Sequence, residues 1–165
     1  MLPANWTYAR GFSPSEHVAP LGGEKMITQI FHTGFTVTDL EQSVAFYRDL
    51  LGMEVYERRE PKGEGIETLL GIPNVHSKVA FLRVNGVTFE LTQYLSPPGK
   101  NVDKTVNNIG TAHLALHSDD VAGDYQRLKQ AGVKMKGPVY TAKSGRRGFG
   151  FYDPDGYTVE LLDPM

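Results

Sequence analysis

The sequence predicts an α+β fold in which two βαβββ modules pair and their half-sheets curl around a shared cleft. The first observation is a six-residue pattern, Gly-x-Thr-x-Glu-Leu, which begins at Gly86 and again at Gly156. The second is that the predicted strands and helix come in the same order before each copy. Because one such unit cannot bury its own sheet face, we expect the two copies to pack together.

Each copy of the pattern is typical of a half-buried strand, because apolar and polar residues alternate along it. Phe89 and Leu91 share the apolar side of the first copy, and Val159 and Leu161 share that of the second. The glutamates, Glu90 and Glu160, therefore lie on the opposite face. A carboxylate buried there without a partner would cost several kcal/mol, so we expect each to face water, a cation or a metal.

Length and composition exclude several classes of protein. The chain has 165 residues, with 40% hydrophobic and 22% charged, which is ordinary for a soluble globular protein. A formal charge of −2 gives no basis for binding nucleic acid or an anionic membrane. The absence of cysteine excludes disulfides, thiolate catalysis and cysteine-based metal sites. With neither a transmembrane run nor a visible secretory signal, the expected location is the cytoplasm.

Four segments follow from the composition along the chain. Residues 1–25, rich in Pro and Gly, are predicted to form an N-terminal arm across the domain or a partner subunit, although Met26 is a second candidate for the start of the fold. Residues 26–95 form the first module, 96–108 a polar linker that contains Pro97-Pro98-Gly99, and 109–165 the second module.

In the first module, apolar residues at helical spacing predict a helix that begins in a capping box, Thr38 to Glu41, and ends at Gly52. Asn85-Gly86 predicts a tight hairpin turn. The polar stretch 60–77 is long enough to be a candidate lid or rim of a site. The predicted strands are 27–37, 53–59, 78–84 and 87–94.

The second module repeats this order, with a helix over 119–131 that ends at Gly132. Its predicted strands are 110–117, 133–140, 148–152 and 157–162. The landmarks also repeat, since His32 precedes Gly52 by 20 residues and His113 precedes Gly132 by 19.

A histidine in the first strand and a glutamate in the last therefore occur in both modules. Any one of these residues, taken singly, is more simply a structural histidine or a solvated glutamate. If the modules are related by a pseudo-twofold axis, the polar faces meet and the four side chains converge. Two imidazole nitrogens and two carboxylate oxygens suit a divalent metal such as Zn, Ni, Co, Mn or Fe(II). The predicted metal ligands are His32, Glu90, His113 and Glu160.

Three further residues are candidates for contact with a substrate. His117 lies four residues beyond His113, roughly 13 Å along a strand, which is too far to share a metal but near enough to contact substrate. Arg146 and Arg147 lie in a Gly-flanked stretch, where they either grip a substrate carboxylate or phosphate or form an exposed basic loop.

These residues resemble the vicinal-oxygen-chelate superfamily, which includes glyoxalase I, methylmalonyl-CoA epimerase, extradiol dioxygenases and the fosfomycin and bleomycin resistance proteins. The resemblance covers about residues 26–163. It lies in five segments: Phe31-His32-Thr33, the Ala45–Met53 helix end, Phe89-Glu90-Leu91-Thr92, the Ala112–Leu116 strand and the Asp153–Leu161 hairpin.

The order His, Glu, His, Glu is most similar to bacterial glyoxalase I. The resemblance implies a metal-dependent lyase or isomerase that acts on a small substrate with vicinal oxygens through an enolate-type intermediate. Glu160 or Glu90 would move the proton. It also implies a homodimer, in which modules pair within one chain or between two. The family's glutathione-binding arginine and asparagine are replaced here by Thr36 and Tyr94, so strict lactoylglutathione lyase activity is not expected.

Two alternatives stay open. An Fe(II) extradiol-type dioxygenase would use His32, His113 and Glu160 and would not need Glu90. A non-catalytic small-molecule binding protein, like the resistance-type members, would not need a metal.

Overall fold

The computed structural model describes residues 27–165, of which Phe31–Met165 form one compact unit. The predicted arm, residues 1–25, lies outside the described residues. Two four-stranded mixed sheets, curved and open, and their helices make up this unit, which confirms the α+β prediction and the two βαβββ modules. Within residues 27–165, no helix is both long and apolar enough to cross a membrane.

The first module pairs its first strand with its last. Its sheet has the order β1-β4-β3-β2, with β1 parallel to β4 and the other neighbours antiparallel. The predicted Asn85-Gly86 turn joins β3 to β4, and both of its residues have positive φ. The elements are β1 (Thr33–Thr36), α1 (Leu40–Ala45) continued by a π-helical turn (Phe46–Leu50), β2 (Glu54–Arg59), α2 (Glu64–Leu70), β3 (His76–Val84) and β4 (Val87–Ser96).

The second module repeats this topology with the order β5-β8-β7-β6, and β5 runs parallel to β8. Its elements are β5 (His113–His117), α3 (Val121–Gln130), β6 (Tyr140–Thr141), β7 (Arg147–Tyr152) and β8 (Thr158–Leu162). The predicted strand 133–140 is reduced to β6 and to one isolated bridge, Met135 to Phe151.

Three local predictions in the first module are wrong. The predicted strand 27–37 is reduced to Thr33–Thr36, so His32 lies just outside the strand. The cap of α1 is Asp39 rather than Thr38, because the Asp39 carboxylate accepts hydrogen bonds from the backbone N–H groups of Glu41 and Gln42. The stretch 60–77 is only partly a loop, since it contains α2 and the start of β3. Gly71, with φ of 65°, ends α2 in the left-handed conformation. A glycine at this position is typical of a helix C-terminus and could have indicated α2 in the sequence.

One cluster of buried apolar side chains contains residues from both modules. It combines the apolar side of the repeated strands with residues of α1, its π-helical turn and α3, among them Leu40, Tyr47, Phe89, Leu91, Val121, Phe151, Val159 and Leu161. The predicted alternation is therefore confirmed: the core takes the residues on either side of Glu90 and Glu160, and the glutamates stay outside it.

A buried hydrogen bond and a pair of stacked rings also join the modules. The Tyr47 hydroxyl donates to Asp153 Oδ2 over 2.9 Å, and the Phe35 ring stacks on Tyr157 at 4.0 Å between centroids. Burial, and then the negative charge of Asp153, raises the pKa of Tyr47. Burial likewise raises the pKa of Asp153. Three hydrogen bonds offset the loss of water at Asp153: Oδ1 accepts from the backbone N–H groups of Tyr157 and Asp155, and Oδ2 accepts from the Tyr47 hydroxyl.

Candidate active site

In the first module, His32 and Glu90 form a closed pair. His32 lies just before β1, and its Nε2 is 3.4 Å from Glu90 Oε2. The other carboxylate oxygen, Oε1, accepts a hydrogen bond of 2.9 Å from the Thr92 hydroxyl. Both oxygens of Glu90 thus have a partner, and the pair is about one-quarter to one-third exposed. We call this pair the first half-site.

Its surroundings hold the first half-site in place. Gly34 is directly opposite Glu90 in the parallel register, and a Cβ at this position would lie 3.1 Å from Glu90 Cβ. The His32 ring contacts Phe31 and Phe81 edge-on, with centroids 4.9 Å and 5.6 Å away. A small residue beside the carboxylate and two rings beside the imidazole restrict where both side chains can go.

In the second module, His113 and Glu160 occupy the matching positions, which we call the second half-site. Ala115 is opposite Glu160, just as Gly34 is opposite Glu90. In each case the histidine precedes the small residue by two positions, so it points to the same side of the sheet as the glutamate. His113 is exposed and Glu160 is half-buried.

The two half-sites lie in different sheets. Among residues 27–165, no group of three or more histidine, aspartate or glutamate side chains within one chain is arranged to hold a metal. The structure therefore brings His32 and Glu90 into contact, places His113 and Glu160 at the matching register positions of the other sheet, and does not bring the four predicted ligands together in one chain. The donors in each pair are those that a borderline divalent metal accepts.

Thr36 and Tyr94 lie in the same cavity, of about 490 Å³, beside the linker. Burial, and then the negative charge of Glu90, raises the pKa of Tyr94. Tyr94 therefore lies within the electrostatic reach of the first half-site. Two linker lysines, Lys100 and Lys104, line the cavity as well.

His117 and Arg146 contact each other at the far end of β5. Arg146 Nη2 donates to His117 Nε2 over 3.0 Å, and its Nε donates to the Asp163 carbonyl over 2.8 Å. A guanidinium can only donate, so the ring proton of His117 lies on Nδ1. The two predicted substrate contacts thus form one unit that faces the same side of the sheet as His113.

Arg147 is placed differently. Its guanidinium forms two hydrogen bonds of 3.0 Å with the Asp163 carboxylate, and its backbone N–H donates to the same group. Asp163 raises the pKa of Arg147, and Arg147 lowers the pKa of Asp163. These contacts give Arg147 a structural partner within its own module.

Sequence reasoning missed three lysines. No sequence feature distinguishes Lys100 and Lys104, because lysines in a polar linker are usually solvated. For Lys136 such a feature exists. Gly148 and Gly150 both lie on the polar face of β7, which leaves room there for a side chain from another segment. That side chain is Lys136 at Gly150, where a Cβ would lie 3.0 Å from Lys136 Cδ.

Comparison with known proteins agrees with this fold. Residues 29–161 match the Glyoxalase/Bleomycin resistance protein/Dioxygenase superfamily. A crystal structure of a glyoxalase family protein from Bacillus cereus superposes with a TM-score of 0.78, covering 87% of this chain and 97% of the other. The two share 18% identity, so this likeness shows the fold.

Two curated relatives are enzymes by name. A probable lactoylglutathione lyase of Vibrio parahaemolyticus is 30% identical over 141 residues, covering 81% of this chain and 89% of the relative. A 2-epi-5-epi-valiolone epimerase of an Actinomyces species is 30% identical over 144 residues, covering 81% of this chain and 78% of the relative.

Proposed function

Because the chain belongs to the Glyoxalase/Bleomycin resistance protein/Dioxygenase superfamily, we propose that it is a metal-dependent lyase or isomerase of the glyoxalase I kind. Its substrate would be a small molecule with two adjacent oxygens. The named relatives, a lyase and an epimerase, support an enzyme of this class.

The observation that carries the proposal is the repeated register of the half-sites. Gly34 lies opposite Glu90 and Ala115 opposite Glu160, each with a histidine two residues earlier, so a histidine and a glutamate have the same register in both sheets. A single pair of this kind would be unremarkable as a surface ion pair. Its duplication supports one centre with two nitrogen and two oxygen ligands, and superfamily members bind divalent metals.

The arrangement of the pairs supports a homodimer. Since neither half-site of the described chain has a third donor of its own, the proposed centre joins the first half-site of one protomer to the second half-site of another. In a twofold dimer each such contact occurs twice, which gives two equivalent centres.

When bound, a divalent metal supplies Lewis-acid stabilisation of negative charge on adjacent substrate oxygens. The protein would supply the base that moves a proton on the carbon beside them. Glu90 is held by Thr92 and His32, so its carboxylate is restrained. We assign the proton transfer to Glu160, and the role of restrained ligand to Glu90.

The rest of the substrate would lie in the cavity beside the linker. Thr36 and Tyr94 take the places of the glutathione-binding arginine and asparagine, and Lys100 and Lys104 supply positive charge nearby. Lys104 Nζ donates to Asn101 and lies 5.1 Å from the centroid of the Tyr157 ring. This lining favours an anionic substrate other than the glutathione adduct.

The test begins with the full-length protein reconstituted with Ni, Co, Zn, Mn or Fe(II). Elemental analysis of the purified dimer should find about one tightly held metal per chain. Each loaded form is then assayed with the methylglyoxal–glutathione adduct, methylmalonyl-CoA, 2-epi-5-epi-valiolone and catechols.

Proton transfer or epimerisation without oxygen consumption supports the proposal. Oxygen uptake with a catechol identifies the dioxygenase alternative. A protein that retains no metal from any of these solutions contradicts the proposal and favours the resistance-type binding alternative.

A further inference from the structure

A lysine from outside the four ligands lies on the same face of the sheet as the second half-site. Residues 134–136 run beside β7, with the Lys136 N–H donating to the Gly150 carbonyl and the Tyr152 N–H donating to the Lys134 carbonyl. The bridge between Met135 and Phe151 turns Met135 towards the core. Lys134 and Lys136 therefore point to the opposite face, which is the face of Glu160.

Gly150 allows Lys136 to cross β7. Gly150 is directly opposite Glu160, and the Lys136 side chain occupies the space that a Cβ at Gly150 would need. At the end of that path, Lys136 Nζ donates to Thr158 Oγ1 over 2.9 Å and lies 4.7 Å from the centroid of the Tyr152 ring. The missing side chain at Gly150 thus determines where the ammonium group lies.

The position of Thr158 places this ammonium beside the ligands. Thr158 is opposite His113 in the parallel register of β5 and β8, and it precedes Glu160 by two residues on the same face. Neighbouring strands lie about 4.8 Å apart, so Thr158, to which the Lys136 ammonium is hydrogen-bonded, is one strand spacing from His113.

A cation beside a metal ligand pair lowers the affinity for the metal, so its presence calls for an anionic partner. We propose that Lys136 binds an anionic oxygen of the substrate, a carboxylate or a phosphate next to the chelating oxygens, and so selects anionic substrates. This inference rests on the proposed metal centre and adds to it a specificity residue outside the four ligands.

Lys134 offers a matched control. Its Nζ lies 5.0 Å from the centroid of the same Tyr152 ring, and it shares the same face, two residues earlier. Lys134 lies farther from Gly150 and Glu160, since its backbone is hydrogen-bonded to Tyr152. Neutralising either lysine changes the net charge equally, so a difference between the variants reports position rather than charge.

The experiment uses the full-length protein, wild type, Lys136→Met, Lys136→Arg and Lys134→Met, each loaded with Mn(II). Oxalate is the probe, because it is a dianion with two adjacent chelating oxygens. Calorimetry gives the Kd of the metal and then the Kd of oxalate, and thermal melting verifies that each variant folds.

For Lys136→Met we expect oxalate to bind at least tenfold more weakly while the metal binds several-fold more tightly. A merely structural role would not strengthen metal binding. Lys136→Arg should stay within about threefold of wild type, and Lys134→Met within about twofold.

Each other outcome overturns the inference in a recognisable way. If the wild type binds Mn(II) but binds oxalate no more tightly than folded Lys136→Met does, or does not bind oxalate, the role of Lys136 is contradicted. The proposed function is not affected by that result. If Lys136→Met does not fold, a tenfold loss of oxalate affinity in Lys136→Arg contradicts the proposed role of Lys136. Wild type that binds no metal contradicts the proposed function, and this inference with it.

Discussion

The two half-sites have the same register but different surroundings. In the first, Thr92, Gly34 and two aromatic rings hold the His32–Glu90 pair. In the second, cationic side chains lie on the same face of the sheet, with Lys136 on Thr158 and Arg146 on His117. The repeat therefore fixes where donors lie on a sheet, and the neighbouring side chains determine what each donor does. Under the proposed function, the first half-site would be the restrained pair of metal ligands, and the second would be the side that handles charge and protons.

The strongest test of this difference is the pair Glu160→Gln and Glu90→Gln. At saturating metal, Glu160→Gln should lower kcat by about 10²- to 10⁴-fold, the usual contribution of a positioned general base. Glu90→Gln should mainly weaken the metal. Steady-state kinetics on the substrate found in the reconstitution assay, together with metal titration, separates the two. Equal losses of kcat at saturating metal would show that the half-sites are not specialised.

Two hydrogen bonds between the modules differ in burial. Tyr47→Phe removes the donor to Oδ2 of the buried Asp153 carboxylate and should lower the free energy of unfolding by about 1.5–3 kcal/mol. Tyr157→Phe removes an exposed hydrogen bond to the Thr36 carbonyl and should cost less than about 1.5 kcal/mol. Urea unfolding of the metal-free protein measures both. A loss from Tyr47→Phe no larger than that from Tyr157→Phe would contradict a dependence of Asp153 on this bond.

The rigidity of the first half-site can be reduced without altering a ligand. Thr92→Val keeps the shape of the buried residue and removes the hydroxyl that donates to Glu90, so the metal Kd should rise about tenfold. Thr88→Val is the control, because Thr88 lies on the same strand face and its hydroxyl contacts Tyr56 instead. Competition with a fluorescent chelator gives both values. An unchanged Kd in Thr92→Val would mean that the hydroxyl does not orient Glu90.

The smallest expected effect is the pH dependence of the Arg147–Asp163 ion pair. Arg147 lowers the pKa of Asp163 below its ordinary value of 3.8, so the stability from this carboxylate is present above that pH and is lost as pH falls through the lower value. The difference in stability between wild type and Arg147→Met should therefore shrink as pH falls below about 4. Urea unfolding from pH 7 to pH 3 measures it. If the difference in stability between wild type and Arg147→Met stays constant from pH 7 to pH 3, Arg147 does not lower the pKa of Asp163.

Much of this arrangement could be predicted from periodicity. A strict alternation puts Glu90 and Glu160 opposite the core, and the repeat spacing identifies both histidines before any contact is known. Lys136 could not be assigned in this way, because its position depends on a single bridge between residues 16 apart, Met135 and Phe151. The helix at Glu64–Leu70 was hidden by the glycines around it. Whether the half-sites meet within one chain depends on how the sheets lie in space, which alternation does not encode.

The most direct test of the central claim uses two inactive variants together. One carries His32→Ala with Glu90→Gln, and the other carries His113→Ala with Glu160→Gln, so that each loses one complete half-site. The two are co-expressed with different tags, and the number of tight metal sites is measured for each variant alone and for the mixed dimers. If a centre is built from two chains, each mixed dimer regains one wild-type centre of its two, and random pairing restores roughly a quarter of all sites. If mixed dimers form and no tight site returns, the two half-sites do not share a metal across protomers, and the central claim is wrong.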